Sequence, residues 1–271
     1  MGEWVLPERF ETPGGVVRWG RQGAGSPVVL LHGTPFSSVV WQEIAAALAE
    51  RHEVYVWDML GYGQSDMGEW QDVSLGAQQE IFAALLEHWN LDEPAVVAHD
   101  YGGVIALRAA LLSGKRYSRL ALLDVVALGD WGTGFFRLAH DNPETFTDLP
   151  EQLHEAMLRS FVATASYRGL SNVAVDEFVD PWLGSAGQSA FYRQAAQNSQ
   201  RFTEEVESRY SELDLPVLIG WGAEDEWLPP EFGKRLAASI PEAEFRWFDR
   251  AGHLVQLDAP GQVIAALSTF L

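Results

Sequence analysis

The sequence contains no cysteine. Disulfides, thiolate catalysis and cysteine-built zinc sites are therefore excluded. Its seven histidines include no HExxH or similarly close pair, so a histidine-built zinc site is not expected either. Long apolar runs are also missing. Nothing approaches the roughly 18 uncharged apolar residues of a membrane span, and no membrane partner is expected. Bases are scarce: 18 Lys and Arg stand against 38 Asp and Glu, a formal net charge of −20. Such a surface repels nucleic-acid phosphates and anionic lipid alike. The acids are scattered and form no tail, which reads as a solubilising surface. Met1–Phe10 lacks a signal-peptide pattern and Leu6 stands where a myristoylation signal requires Ser or Thr, so the cytoplasm is the expected compartment. No G-x-G-x-x-G opens a helix after a strand. Gly61-Tyr62-Gly63 runs on into Gln64-Ser65-Asp66, and no nicotinamide or other cofactor is expected.

Apolar material is plentiful: 47% of the 271 residues are hydrophobic and 12% aromatic, which excludes disorder. Up to about Val126, strand-like runs alternate with helical ones. Val16–Gly20, Pro27–His32, Glu53–Asp58, Ala95–His99 and Leu120–Val126 read as strands. Trp41–Arg51, Leu75–Asn90 and Gly102–Leu112 read as helices. After Leu215 the alternation resumes with strands at Pro216–Trp221 and Ala243–Phe248 and helices at Pro230–Ile240 and Pro260–Leu271. Alternation of this kind predicts an α/β fold with a mostly parallel sheet covered by helices on both faces. The stretch 129–214 breaks the pattern, with helical segments such as Glu151–Ala163 and Ser189–Arg209. It is expected to be a helical cap inserted after the sixth strand, over a core formed by 1–128 and 215–271.

Chemistry concentrates where strands end. Ala98-His99-Asp100-Tyr101-Gly102-Gly103 lies between an apolar strand and a helix. A sharp strand-to-helix turn there would lift the Asp100 side chain above the sheet, with small neighbours at Ala98 and Gly102 allowing the close approach. Taken alone, Asp100 could simply cap its helix. Gly220-Trp221-Gly222-Ala223-Glu224-Asp225 follows another strand, and Ala251-Gly252-His253-Leu254 follows the last one. Alone, Asp225 reads as a turn carboxylate and His253 as a packed loop histidine. Together they give nucleophile, acid and histidine in chain order, each in a loop after a strand. Asp124, at the end of Leu120–Leu123, is the alternative orienting acid, and the flanking Gly-Trp-Gly favours Asp225.

Five stretches carry a family resemblance: HGTPFSSVVW (His32–Trp41), DMLGYGQSD (Asp58–Asp66), AHDYGG (Ala98–Gly103), WGAEDEWLP (Trp221–Pro229) and AGHLVQLDAP (Ala251–Pro260). In this order the chain resembles the α/β-hydrolase superfamily over nearly its whole length. Within it the chain is similar to the branch with aspartate nucleophiles, the epoxide hydrolases and the haloalkane and haloacetate dehalogenases. The resemblance implies an α/β-hydrolase fold, a triad of Asp100, His253 and Asp225, and an oxyanion hole formed by the amides of Thr34 and Tyr101.

A carboxylate is ionised near neutrality and needs no base to activate it. Against a carbonyl it would yield a mixed anhydride, whereas at an sp³ carbon it displaces a leaving group to give an alkyl ester. His253 would then draw a proton from water to hydrolyse that ester. The expected substrate is a small, largely apolar organic molecule, with water as the second reactant. Dehalogenases of this branch often carry Trp after the nucleophile and Asn in the first loop; here those positions are Tyr101 and Thr34, and the arginine that haloacetate dehalogenases carry after the nucleophile is absent. Trp131 and Trp182 are the candidate replacements, with packing as their simpler role. Epoxide hydrolases use cap tyrosines as acids. Phe191-Tyr192-Arg193 resembles the surroundings of one, making Tyr192 the candidate acid and Tyr167 a weaker second. Epoxide hydrolysis is the expected activity. The alternatives are a dehalogenase with the same triad and a ligand-binding module without turnover. His99 is expected to be a satisfied structural histidine. Nothing in the sequence speaks to oligomeric state.

Overall fold

A computed structural model describes residues 4–271; the first three, part of the stretch read for an export signal, lie outside it. Among the described residues eight strands form a single sheet: β1 (Glu8–Thr12), β2 (Gly15–Gly23), β3 (Ser26–Leu31), β4 (His52–Trp57), β5 (Ala95–Asp100), β6 (Arg119–Val125), β7 (Val217–Gly222) and β8 (Glu244–Phe248). Their spatial order is β1-β2-β4-β3-β5-β6-β7-β8. The pairs β1–β2 and β2–β4 are antiparallel and all others are parallel. The central strands are continuous apolar runs because helices cover both faces. Val28, Val29 and Leu30 of β3 and Val96 and Val97 of β5 have no exposed surface.

Helices α1 (Gln42–Leu48), α2 (Leu75–His88) and α3 (Tyr101–Leu111) connect the parallel strands in the first part of the chain. Ser74 starts α2 by accepting the amide of Ala77 on its side chain. Between β6 and β7 lie α4 (Gly134–Asp141), α5 (Pro143–Thr147), α6 (Glu151–Ala163), α7 (Asn172–Val179), α8 (Gly184–Gln197) and α9 (Arg201–Glu207). The chain then returns to the sheet and finishes with α10 (Pro230–Ser239), α11 (Val255–Asp258) and α12 (Pro260–Phe270). Among the described residues no helix is long and apolar enough to cross a membrane.

Two features depart from the sequence reading. The hairpin of β1 and β2, with Thr12 opposite Gly15, was not expected at the N-terminal edge. The stretch Ser189–Arg209 is not one helix: α8 and α9 are separated at residues 198–200. Asn198 makes that break, since its side chain accepts the amide of Leu75 and donates to the Gln194 carbonyl. The turn 58–66 is structural as expected, with Gly61 and Gly63 at φ of 83° and 52°. A Cβ on Gly63 would lie 2.2 Å from Asp58 Oδ2, so glycine lets this turn close over that carboxylate.

Candidate active site

Asp100 ends β5 at φ 50° and ψ −118°, a conformation that costs a non-glycine residue on the order of 1–3 kcal/mol. Close packing holds it there. A Cβ on Gly102 would come 2.6 Å from the Leu31 carbonyl oxygen, and one on Gly33 would come 2.3 Å from Asp100 Cβ. The missing Cβ at Gly33 allows the loop after β3 to reach the carboxylate. The Thr34 amide then donates to Asp100 Oδ1 at 2.7 Å. His32 fixes that loop: its Nδ1 donates to the Gly33 carbonyl and its Nε2 accepts the Met59 amide. The amide of Tyr101 opens α3 beside Asp100, at a helix position that lacks an intrahelical acceptor.

The loops after β7 and β8 bring two further predicted residues to Asp100. His253 Nδ1 lies 3.0 Å from Asp225 Oδ2, and His253 Nε2 lies 3.5 Å from Asp100 Oδ2. The second distance is close enough for charge attraction and too long for a direct hydrogen bond. Asp225 is aimed by its own loop, because its Oδ1 accepts the amides of Trp227 and Leu228. The Trp227 ring stacks on the imidazole with centroids 5.0 Å apart. Burial alone would lower the His253 pKa. The charges on Asp225 and Asp100 outweigh it and raise the value to about 10, so the imidazole is protonated while both carboxylates face it.

Asp124 is also present, one layer further back. It is fully buried at φ 44°, with Oδ1 accepting the Gly222 amide at 2.7 Å. Burial first, and then the adjacent Asp225 charge, push its carboxyl well above the usual range and favour the protonated form. Asp225 is thus the acid within hydrogen-bond distance of the imidazole, and its charge also acts on Asp124. His99 is buried and donates from Nε2 to the His253 carbonyl at 2.9 Å. Burial, reinforced by the nearby His253, lowers its pKa to about 3, so it serves the loop as a neutral ring.

A cavity of about 40 Å³ opens over Asp100. Its walls are largely aromatic: Tyr101, Trp131, Phe136, Phe161, Phe191 and Trp227. No lysine or arginine lines it among the described residues, and no described cluster of His, Asp and Glu is arranged to hold a metal ion.

Two expectations about the helical segment, the acid roles of Tyr192 and Tyr167, are not met, and the two tryptophans keep the packing that was their simpler reading. Tyr192 does not line the cavity. Its hydroxyl lies 2.8 Å from His154 Nδ1, and His154 Nε2 donates to the Trp182 carbonyl, so the neutral imidazole receives the tyrosine proton. Tyr167, the second candidate, is 55% exposed and also outside the cavity. Trp131 lines the cavity with its ring only: its Nε1 donates to Thr203, while Trp182 Nε1 donates to the Pro35 carbonyl. What the sequence reading missed is Gln194, buried in the cavity wall one helical turn after Phe191. The spacing was legible, since residues three apart share a helix face, but an isolated glutamine gave no chemical signal.

A family-wide sequence profile described as the alpha/beta hydrolase fold matches residues 26–260. An alpha/beta hydrolase fold protein from Burkholderia ambifaria superposes with a TM-score of 0.95 and 46% identity over 97% of both chains. The epoxide hydrolase CorEH superposes with a TM-score of 0.82 over 97% of both chains, and at 23% identity that likeness concerns the fold. A cis-3-alkyl-4-alkyloxetan-2-one decarboxylase from Shewanella oneidensis is 26% identical over 272 residues, covering 92% of this chain and 83% of the relative. With the profile spanning most of its length, this chain belongs to the alpha/beta hydrolase fold family, as one of its hydrolases.

Proposed function

We propose that the protein is a cofactor-independent hydrolase that opens small epoxides through an alkyl ester on Asp100. The observation that carries this reading is the placement of Asp100: a carboxylate on a strained turn, facing an apolar cavity, with Thr34 N–H on one oxygen and His253 beside the other. Oδ2 is the attacking oxygen, because Oδ1 is already held by Thr34. Its attack forms an O–C bond and breaks a C–O bond of the ring. Water then attacks Cγ of the ester while His253, oriented by Asp225, takes its proton. The negative charge that develops on Oδ1 falls on the amides of Thr34 and Tyr101.

The protonation of His253 fits this order of events. While Asp100 is charged, the imidazole holds its proton and is no base. Esterification removes the Asp100 charge, which lowers the imidazole pKa at the step where a base is needed.

Oxygen rather than halogen is favoured by the cavity. The indole N–H groups of Trp131, Trp182 and Trp227 are all given to protein acceptors and are not free for a halide. Two of the similar proteins, CorEH and the Shewanella oneidensis relative, carry names that refer to strained oxygen rings, an epoxide and an oxetanone. Incubation with short-chain epoxides and with haloalkanes of matched size tests the reading. Diol formation supports it, and halide release without diol contradicts it.

A further inference from the structure

Gln194 and Tyr101 line the cavity, and each carries a polar group that no described protein hydrogen bond uses. The Gln194 carbonyl oxygen accepts the Thr34 hydroxyl at 3.1 Å and the Tyr62 hydroxyl at 3.0 Å. Those two bonds fill its acceptor capacity and fix which end of the amide faces them. The amide nitrogen, with two N–H groups, donates to no described protein group and belongs to a side chain in the cavity wall. Tyr101 is 2% exposed, and its buried hydroxyl has no hydrogen-bond partner although the residue lines the same cavity. Buried polar groups are normally paired, so unpaired donors around one cavity mark where a ligand supplies the acceptor.

We propose that the Gln194 amide and the Tyr101 hydroxyl form the donor pair for the oxygen that departs from carbon, in place of a tyrosine from the helical segment. The inference rests on Asp100 acting as nucleophile. As Oδ2 bonds to carbon, the C–O electron pair stays on the departing oxygen, which remains part of the esterified alkyl group. That oxygen takes the Tyr101 proton while Gln194 N–H holds its other lone pair. The proton that His253 gives up once Asp100 is esterified restores the Tyr101 hydroxyl, and the neutral imidazole then takes a proton from the attacking water. Burial, with Tyr62 and the Asp100 charge adding to it, keeps the hydroxyl protonated until the oxygen develops charge. The substrate class follows: small apolar molecules whose leaving atom is an oxygen that must gain a proton.

The test uses Tyr101→Phe and Gln194→Met, each combined with His253→Gln so that the ester accumulates. Gln194→Met removes the amide donors without adding a charge or a new donor; it also takes away the oxygen that the Thr34 and Tyr62 hydroxyls use, a loss that falls on both probes alike. The alkylation rate of Asp100 is followed by peptide mass with 1,2-epoxypropane and with methyl methanesulfonate, whose leaving group needs no proton. We expect each substitution to slow alkylation by the epoxide roughly 100-fold or more, and alkylation by the sulfonate less than about threefold. Equal slowing with both probes, or no slowing with the epoxide, overturns the donor pair while leaving Asp100 as nucleophile. Absence of any Asp100 adduct with either probe before the two substitutions are made overturns the nucleophile itself, and the donor pair with it.

Discussion

His253 Nε2 stands 3.5 Å from Asp100 Oδ2, so the proposed base faces the proposed nucleophile. The imidazole therefore senses the charge of Asp100. Asp100→Asn, a neutral mimic of the ester, should lower the His253 pKa from about 10 by roughly 1–3 units. Histidine NMR titration of the two proteins measures the difference. An unchanged value would show that Asp225 alone sets the protonation of His253.

Asp124 makes a prediction of opposite character. Its folded-state pKa lies above the value of about 3.9 expected in the unfolded chain. Its contribution to stability is thus fully present below about pH 4 and declines as pH rises toward the folded value. Asp124→Asn removes that decline with a neutral side chain of the same shape, whose oxygen can still accept the Gly222 amide. The Tm of the variant relative to the parent should therefore rise between pH 4 and pH 8, by at least about 2 °C. A difference that stays constant with pH would place Asp124 in another role.

Tyr192 is tied to His154 and not to the cavity. Tyr192→Phe should cost about 1 kcal/mol of stability through the lost buried hydrogen bond. Its kcat/KM should remain within about twofold of the parent on any accepted epoxide. A large loss of kcat with little loss of stability would return Tyr192 to the reaction.

The contrast between Tyr192 and Asp100 shows what a sequence can specify. Asp100, Asp225 and His253 follow strands, where the chain direction, the turn and the next helix leave one place for each side chain. Local signals at those turns, such as Gly102 and the Gly220–Gly222 stretch, carry the geometry. The helical segment has no such anchor. On α8, one residue turns the side chain by about 100°, so Phe191 and Gln194 face the cavity while Tyr192, between them, faces His154. The motif around Tyr192 was visible, but the rotation of its helix depends on packing against α4, α5 and α6. The edge hairpin is a different case. Its Pro13-Gly14 turn was written in the sequence, and the short polar strand before it, ERFET, lacked the apolar run that marked the others.

The support around His253 was also only partly legible. His99 was expected to be satisfied structurally; its Nε2 bonds the His253 carbonyl, whereas its buried Nδ1 has no hydrogen-bond partner. Trp227 was visible only as part of the acid loop, yet its ring is the surface against which the imidazole lies. Contacts of this sort join segments far apart in the chain and leave no local trace.

The most direct test of the central claim is a single turnover of an accepted epoxide in ¹⁸O-labelled water, with the oxygen isotopes of product and of the Asp100 peptide read by mass spectrometry. An ester intermediate predicts label in the Asp100 carboxylate and an unlabelled first-turnover diol, because the water attacks Cγ and the diol leaves with an aspartate oxygen. Label in the diol with none at Asp100 would contradict the account, showing that water attacks the substrate carbon itself.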